Sequence, residues 1–330
     1  MPLFQMGYRR YEGQRTPHWS RWWPITRTGF AIAWRSKLLR RLVYVSFLPL
    51  MYFGWAFFAI GKITDPGTDP NAPFFEVARA FFGSEVIDQL HEDPTQIRAG
   101  VWAILFATFG KVWQLVHVAL VAAVVGPPLI ANDLRSKAFL VYFARPVSRL
   151  DYIIGKACVL VGVLLLVTLV PSLALYAMSI LFSPSFDTIS QTLPVAIDLV
   201  IANVGTAVVM SLFLLTLSSL TRQARFATIL WFGVWVFGLL THLILSETRG
   251  LRDNTWTFLL SPFHALRAFQ LGQYDIEERT SGIQFSGVID VFAGWLSTSD
   301  SPARAALWLA FISIVCVFTL FRRVDAPTRI

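Results

Sequence analysis

The sequence predicts an all-α integral membrane protein with six transmembrane helices and both termini in the cytoplasm. Of its 330 residues, 55% are apolar and only 15% are charged, whereas a soluble domain usually carries about 25% charged residues. Six apolar runs are each near or above the roughly 20 residues that cross a bilayer. Lys and Arg also cluster on one side of these runs. Because lipid offers no hydrogen-bond partner to an open backbone, each run is expected to be a helix.

The predicted spans are 42–61, 101–131, 157–182, 195–220, 226–245 and 303–321. Gly126-Pro127-Pro128 predicts a break near the end of the second span. Ser148 to Asp151 matches a capping box before the third span, and Ser301-Pro302 suits the start of the sixth. Two stretches between the fifth and sixth spans, 257–272 and 283–296, predict re-entrant or interfacial helices.

The orientation follows from where the basic residues lie. Nine Lys and Arg residues precede the first span, five lie between the second and third, two follow the fourth and three follow the sixth. This bias places those segments in the cytoplasm. We therefore divide the chain into a basic, Trp-rich leader (1–41), a six-helix transmembrane domain (42–322) and a cytoplasmic tail (323–330). A helix over 24–41 would lie along the membrane surface, either as a simple positive anchor or as a functional elbow.

Motifs for catalysis are missing from the sequence. No Gly-rich phosphate-binding loop is present, since Gly61-Lys62, Gly110-Lys111 and Gly155-Lys156 lack the upstream glycine and the following hydroxyl. There is no zinc-protease motif, no nucleophile elbow and no metal-ligand spacing. We expect a non-catalytic chain that binds no cofactor. The positive charge lies beside membrane segments, so we expect a lipid surface and not a nucleic acid as its partner.

Polar residues inside the spans are functional candidates, because their burial in lipid is costly. Lys111, Gln114 and His117 are spaced at i, i+3 and i+6 in the second span, and Asn203 lies in the fourth. We treat these four as a candidate translocation path. In an alternative interpretation Lys111 reaches the outer interface, while the others bond neighbouring helices.

The segment 131–156 has five basic residues and two acids between two apolar runs. The apolar pattern predicts a short helix over 132–143, which Arg145-Pro146 ends because the residue before proline disfavours helix. Ser148 then begins the next helix.

This segment resembles the region between the second and third spans of type-2 ABC exporter permeases. The residues that carry the resemblance are Asp133, Arg145-Pro146-Val147-Ser148-Arg149, Tyr152 and Gly155-Lys156. Ser261-Pro262-Phe263 is similar to the family's stretch between spans five and six. The long leader and the sizeable loop after the first span depart from the family's shortest members.

The resemblance implies one half of an exporter in a bacterial inner membrane. Two separate ATPase subunits would hold the ATP and magnesium, and a second permease copy, identical or different, would complete the transporter. The short cytoplasmic helix would be the coupling helix that contacts the ATPase. The coupling residues would be Asp133, Leu134, Arg135, Ala138, Arg145, Pro146 and Arg149. A local pair between Asp133 and Arg145 is equally compatible with the sequence.

Two other functions stay open from the sequence. A membrane anchor or assembly subunit would use the same basic face to hold a soluble complex. A secondary transporter without an ATPase predicts inverted repeats and broken helices, and the sequence has no internal repeat and few charges in the middle of its spans.

Overall fold

The computed structural model describes residues 20–69, 73–138, 147–248, 256–280 and 301–325, together with residues 142, 291 and 296. In these residues every regular element is helical. The helices are α1 Trp22–Trp34, α2 Lys37–Val45, α3 Pro49–Ile63, α4 Pro73–Phe82, α5 Ser84–Glu92, α6 Pro94–Thr108, α7 Leu115–Val125, α8 Pro127–Ser136, α9 Arg149–Val167, α10 Leu169–Leu181, α11 Asp187–Leu220, α12 Ala224–Glu247, α13 Pro262–Gln273, α14 Ile276–Arg279 and α15 Pro302–Asp325. A π-helical segment, Phe109–Gln114, joins α6 to α7, and a 3₁₀ turn, Thr257–Leu260, precedes α13.

Among the described residues, six helical stretches are long and apolar enough to cross a membrane, as predicted. We number them span 1 to span 6 in chain order. They are Lys37–Ile63, Leu115–Ser136, Arg149–Leu181, Asp187–Leu220, Ala224–Glu247 and Pro302–Val324.

Spans 3 and 4 each begin eight residues earlier than the sequence predicts. Span 3 starts directly after Ser148, whose side chain accepts a hydrogen bond from the Asp151 backbone. The capping signal therefore marks the start of the helix better than the hydropathy does. Span 4 continues through Pro194 without a break, which a helix in a protein interior tolerates when neighbours satisfy the freed carbonyl.

The predicted single leader helix over 24–41 is wrong. The chain forms α1 and α2, because Ser36 adopts an extended conformation and its side chain caps α2 at the Leu39 amide. Helix α1 packs against α9, where the Thr26 hydroxyl donates to the Gly155 carbonyl at 3.0 Å. A Cβ on Gly155 would lie only 2.9 Å from Ile25, so glycine allows this close approach.

The predicted second span, 101–131, is three pieces of helix. Helix α7 ends at Val125 and α8 starts at Pro127, which confirms the break at Gly126-Pro127-Pro128. The π-helical segment is a second interruption that the sequence pattern does not reveal. Taken together, the helical pieces from Pro94 to Ser136 cover about 60 Å at 1.5 Å per residue, about twice the roughly 30 Å of a bilayer core.

The loop after span 1 folds into α4 and α5 and leads into α6. Its apolar side chains form a core with span 1 in which Phe57 and Trp102 meet edge to face, with ring centroids 5.1 Å apart. A second core lies towards the other end of the bundle and joins α2, α7, α8, α9 and α11.

The stretch between spans 5 and 6 confirms a helix near 257–272, where the 3₁₀ turn and α13 lie. Helix α13 packs between α11, α12 and α15. The packing is close at Gly205, where a Cβ would lie 2.6 Å from the Phe269 ring. The second predicted helix, 283–296, falls almost wholly outside the described residues. The boundaries of the leader, transmembrane domain and tail stay predictions.

The spans differ strongly in how much of their surface other helices cover. In the most apolar part of span 2, 67% of the residues are buried, whereas the figure is 11% for span 5. Phe237 on α12 is 76% exposed. Exposed side chains of this kind require an apolar surrounding, either lipid or another subunit.

Candidate functional site

The candidate site lies where span 2 ends and span 3 begins. Helix α8 stops because Lys137 adopts a left-handed conformation with φ of 54° and ψ of 29°. The Ala138 amide then donates to the Asp133 carbonyl at 3.0 Å, which satisfies one of the free carbonyls at the helix end. The predicted helix over 132–143 is therefore interrupted, and its first part belongs to span 2.

On the other side of the turn, a complete capping box begins α9. The Asp151 amide donates to Ser148 Oγ at 3.1 Å, and the Ser148 amide donates to Asp151 Oδ2 at 2.9 Å. These reciprocal bonds satisfy two backbone donors of the first turn. The direction of the chain as it enters span 3 is thus set by local chemistry.

An ion pair joins the two helices just inside this turn. Lys156 Nζ lies 2.7 Å from Asp133 Oδ2, and the Tyr152 hydroxyl donates to the same oxygen at 2.8 Å. The exposed fraction is 9% for the Lys156 side chain and 15% for the Asp133 side chain. A charge this deeply buried is stabilised only when it is paired and hydrogen-bonded, and both conditions hold here.

Two tyrosine rings enclose the lysine. Lys156 Nζ lies 5.8 Å from the centroid of the Tyr142 ring and 5.5 Å from that of Tyr152, within the range of cation–π attraction. Burial and the nearby Asp133 carboxylate raise the pKa of Tyr142. We call Asp133, Tyr142, Tyr152 and Lys156 the inner latch.

The inner latch gives Asp133 a partner that the sequence analysis did not name, because its carboxylate pairs with Lys156. Arg145 lies outside the described residues, so a local pair with Asp133 stays a prediction, as does a contact of Asp133 with the ATPase. Lys156 is the residue from which this pair could have been predicted, because a lysine well inside an apolar helix needs a counter-ion.

The other predicted coupling residues divide into two groups. Leu134 and Ala138 are partly buried, and Leu134 packs against the core around α2, α7 and α9. Arg135 and Arg149 are exposed. Arg145 and Pro146 lie outside the described residues.

Two residues of the candidate translocation path, Gln114 and His117, bond to different neighbouring spans. Gln114 donates to the Thr168 carbonyl at 3.1 Å and to Ser172 Oγ at 2.8 Å, both in span 3. His117 Nε2 lies 2.9 Å from the Leu42 carbonyl in span 1. Gln114 is the last residue of the π-helical segment, and His117 lies in the first turn of α7.

Asn203 bonds within its own helix. Its Nδ2 donates to the Leu199 carbonyl at 2.8 Å, while its Oδ1 is buried and lacks a hydrogen-bond partner among the described residues. Nothing is described of the Lys111 side chain. The observed contacts are those of polar side chains that hold helices together, and a role in translocation stays a prediction.

One further ion pair escaped the sequence analysis. Arg279 Nη2 on α14 lies 2.6 Å from Asp198 Oδ2 in span 4. The Arg279 carbonyl also approaches α6 so closely that a Cβ on Gly100 would lie 2.5 Å from it. The pair and the glycine together fix α14 against α6 and α11.

Comparison with known proteins gives a family. A family model described as ABC-2 family transporter protein matches residues 30–325, which include all six spans and the inner latch. No curated protein matches the chain. The chain therefore belongs to the ABC-2 family of transporter proteins, as a multi-pass membrane subunit.

Proposed function

We propose that this chain is the permease subunit of an exporter that is driven by separate ATPase subunits. Family membership supports a transport role. In the proposed arrangement two ATPase subunits serve two permease copies, identical or different, in a bacterial inner membrane. ATP and magnesium are bound by the ATPase, and this chain binds no cofactor.

The observation that carries the proposal is the inner latch and its position. The exposed Arg135 and Arg149 lie at the end of α8 and the start of α9, and the Asp133–Lys156 ion pair joins these two helices. A force applied to these helix ends reaches spans 2 and 3 together, because the Asp133–Lys156 ion pair and the Tyr152–Asp133 hydrogen bond join α8 to α9. An ATPase can switch the permease only through a difference in affinity for its two states, and these helix ends are where we expect that difference to act.

The proposal assigns separate roles to the predicted coupling residues. Arg135 and Arg149, with Arg145 and Pro146, contact the ATPase. Asp133 keeps the turn in place through Lys156, and Leu134 and Ala138 seat the turn against the bundle.

The test is co-purification of the tagged chain in a mild detergent, with identification of bound proteins by mass spectrometry. We compare the natural chain with the double variant Arg135→Glu, Arg149→Glu. The matched control is Arg222→Glu, Arg225→Glu, which reverses two exposed charges between the end of span 4 and the first turn of span 5.

We expect an ATPase with a phosphate-binding loop to bind the natural chain and the control, and to be lost from the Arg135, Arg149 variant. Equal loss in both variants would place the contact elsewhere. If the natural chain binds no ATPase, the proposal fails. An ATPase that binds while no cargo moves in reconstituted vesicles would favour the anchor function instead.

A further inference from the structure

A buried arginine near the end of the molecule opposite the inner latch lacks a counter-ion. Arg98, in the first turns of α6, is 3% exposed. Its Nη1 donates to Thr188 Oγ1 at 2.7 Å and to Gln191 Oε1 at 2.8 Å. Among the described residues no carboxylate lies within ion-pair distance, and Nε and Nη2 make no hydrogen bond. Burial lowers the pKa of Arg98, which reflects the cost of this charge in its present surroundings.

A second unsatisfied donor lies one helical turn further on. Trp102 is 1% exposed, and its Nε1 has no hydrogen-bond partner among the described residues. Residues at i and i+4 share one face of a helix, so Arg98 and Trp102 lie on the same side of α6. The Trp102 ring meets Tyr176 edge to face, with centroids 5.8 Å apart.

The hydroxyl groups around this face are already engaged. Thr192 Oγ1 donates to the Thr188 carbonyl at 2.7 Å, and the Tyr176 hydroxyl lies 3.2 Å from Thr192 Oγ1. Thr188 Oγ1 and Gln191 Oε1 accept from Arg98. The site therefore has donors in excess and one positive charge, and it lacks an acceptor with negative charge.

We propose that the Arg98–Trp102 face binds an anionic oxygen group, a phosphate or a carboxylate. A guanidinium presents parallel N–H groups that match two oxygens of such an anion. The start of α11, at Asp187 and Thr188, adds the partial positive charge of a helix N-terminus. The Asp187 carboxylate forms no ion pair with Arg98, so it does not fill the place of the anion.

The anion could come from a lipid headgroup or from a small soluble molecule, since both carry the same chemistry. Arg98 lies outside the six spans, at the entrance to the helix that leads into span 2. This proposal does not depend on the proposed ATPase contact, because that contact lies at the opposite end of the bundle.

The test is thermal unfolding of the purified chain in a neutral detergent. The probes are dihexanoyl phosphatidic acid, inorganic phosphate and uncharged dihexanoylglycerol. The variants are Arg98→Gln, which removes the charge, and Trp102→Phe, which removes the N–H but keeps the ring. Arg79→Gln is the matched control, because Arg79 lies in α4, also between spans 1 and 2, but is partly exposed and paired with Asp88 at 3.2 Å.

We expect phosphatidic acid near saturation to raise the unfolding temperature of the natural chain and of the control by about 2–4 °C. The rise should be lost in Arg98→Gln and reduced in Trp102→Phe. A rise with phosphatidic acid alone identifies a lipid headgroup, and an equal rise with phosphate identifies a soluble anion. No rise with either anion, or an equal rise in the natural chain and Arg98→Gln, would overturn the proposal. If Arg98→Gln does not fold, the Trp102→Phe variant decides the test. An unfolding temperature that phosphatidic acid raises as much in Trp102→Phe as in the natural chain would overturn the proposal.

Discussion

At the scale of single residues, the inner latch shows how a charge is held at the edge of a membrane span. Lys156 interrupts an apolar stretch and would be costly there alone. Asp133 supplies the counter-charge from the end of the preceding span, and Tyr152 completes the hydrogen bonding. Sequence shows that Lys156 needs a partner, but several acids and turns could serve, and only the packing of α8 on α9 selects Asp133.

We predict that breaking this pair destabilises the protein more than removing it. Asp133→Asn and Lys156→Met each leave a buried charge without its partner, a loss of about 3–5 kcal/mol in comparable buried pairs. The double variant should lose clearly less than the sum of the two single variants, because no uncompensated charge remains. Thermal unfolding of the four proteins in detergent measures this difference as a double-mutant cycle.

Lys37→Met serves as the control for the loss of a positive charge, because Lys37 is exposed and its replacement should change stability little. Strictly additive effects of Asp133→Asn and Lys156→Met would contradict the importance of the ion pair.

At the scale of helices, the reliable predictions came from short motifs that start or end a helix through local hydrogen bonding or backbone geometry. The capping box at Ser148 and the break at Gly126-Pro127-Pro128 were predicted and are present. The break at Ser36 was missed, since a serine between basic residues can either continue a helix or cap one. The π-helical segment Phe109–Gln114 carries no comparable signal, because the same residues also suit an α-helix.

The contact between α3 and α10 gives a prediction at this scale. A Cβ on Gly61 would clash with the backbone carbonyl of Phe182, whereas a Cβ on Gly162 in α9 meets nothing within 4 Å. Gly61→Ala should therefore destabilise the protein by about 1–3 kcal/mol through overpacking. Gly162→Ala should be neutral or stabilise it by up to about 1 kcal/mol, because alanine favours helix.

Thermal unfolding in one detergent compares these two variants directly. Equal stability of Gly61→Ala and Gly162→Ala would mean that α3 and α10 are not in close contact.

At the scale of the whole molecule, the number of spans follows from hydropathy alone, but the contacts between spans do not. Gln114 bonds span 3, His117 bonds span 1, and Asp198 pairs with α14 across a long separation in sequence. Each of these contacts depends on how helices rotate about their axes. Lipid-facing and protein-facing apolar residues look alike in the sequence, so this rotation could not be inferred.

The side of the membrane on which each loop lies is a prediction that labelling can test. In a chain with Cys158 and Cys316 replaced by alanine, we introduce Asp88→Cys or Arg222→Cys, both at exposed positions. A membrane-impermeant maleimide added to intact spheroplasts should label the Asp88→Cys protein at once. The Arg222→Cys protein should react only after the membrane is opened, because basic loops stay in the cytoplasm. The reverse pattern would invert the orientation, and labelling of both from outside would contradict the six-span topology.

The uneven covering of the spans has a consequence for how this sequence can change over evolutionary time. Most of the apolar part of span 2 is enclosed by other helices, while span 5 presents most of its surface outwards. Substitutions in α7 and α8 must fit a fixed shape, so few residues are acceptable at each site. Substitutions on the open face of α12 must only remain apolar, and Leu, Ile, Val and Phe are nearly equivalent there. Relatives should therefore diverge fastest along α12 while keeping its composition, except at positions where a second subunit contacts it.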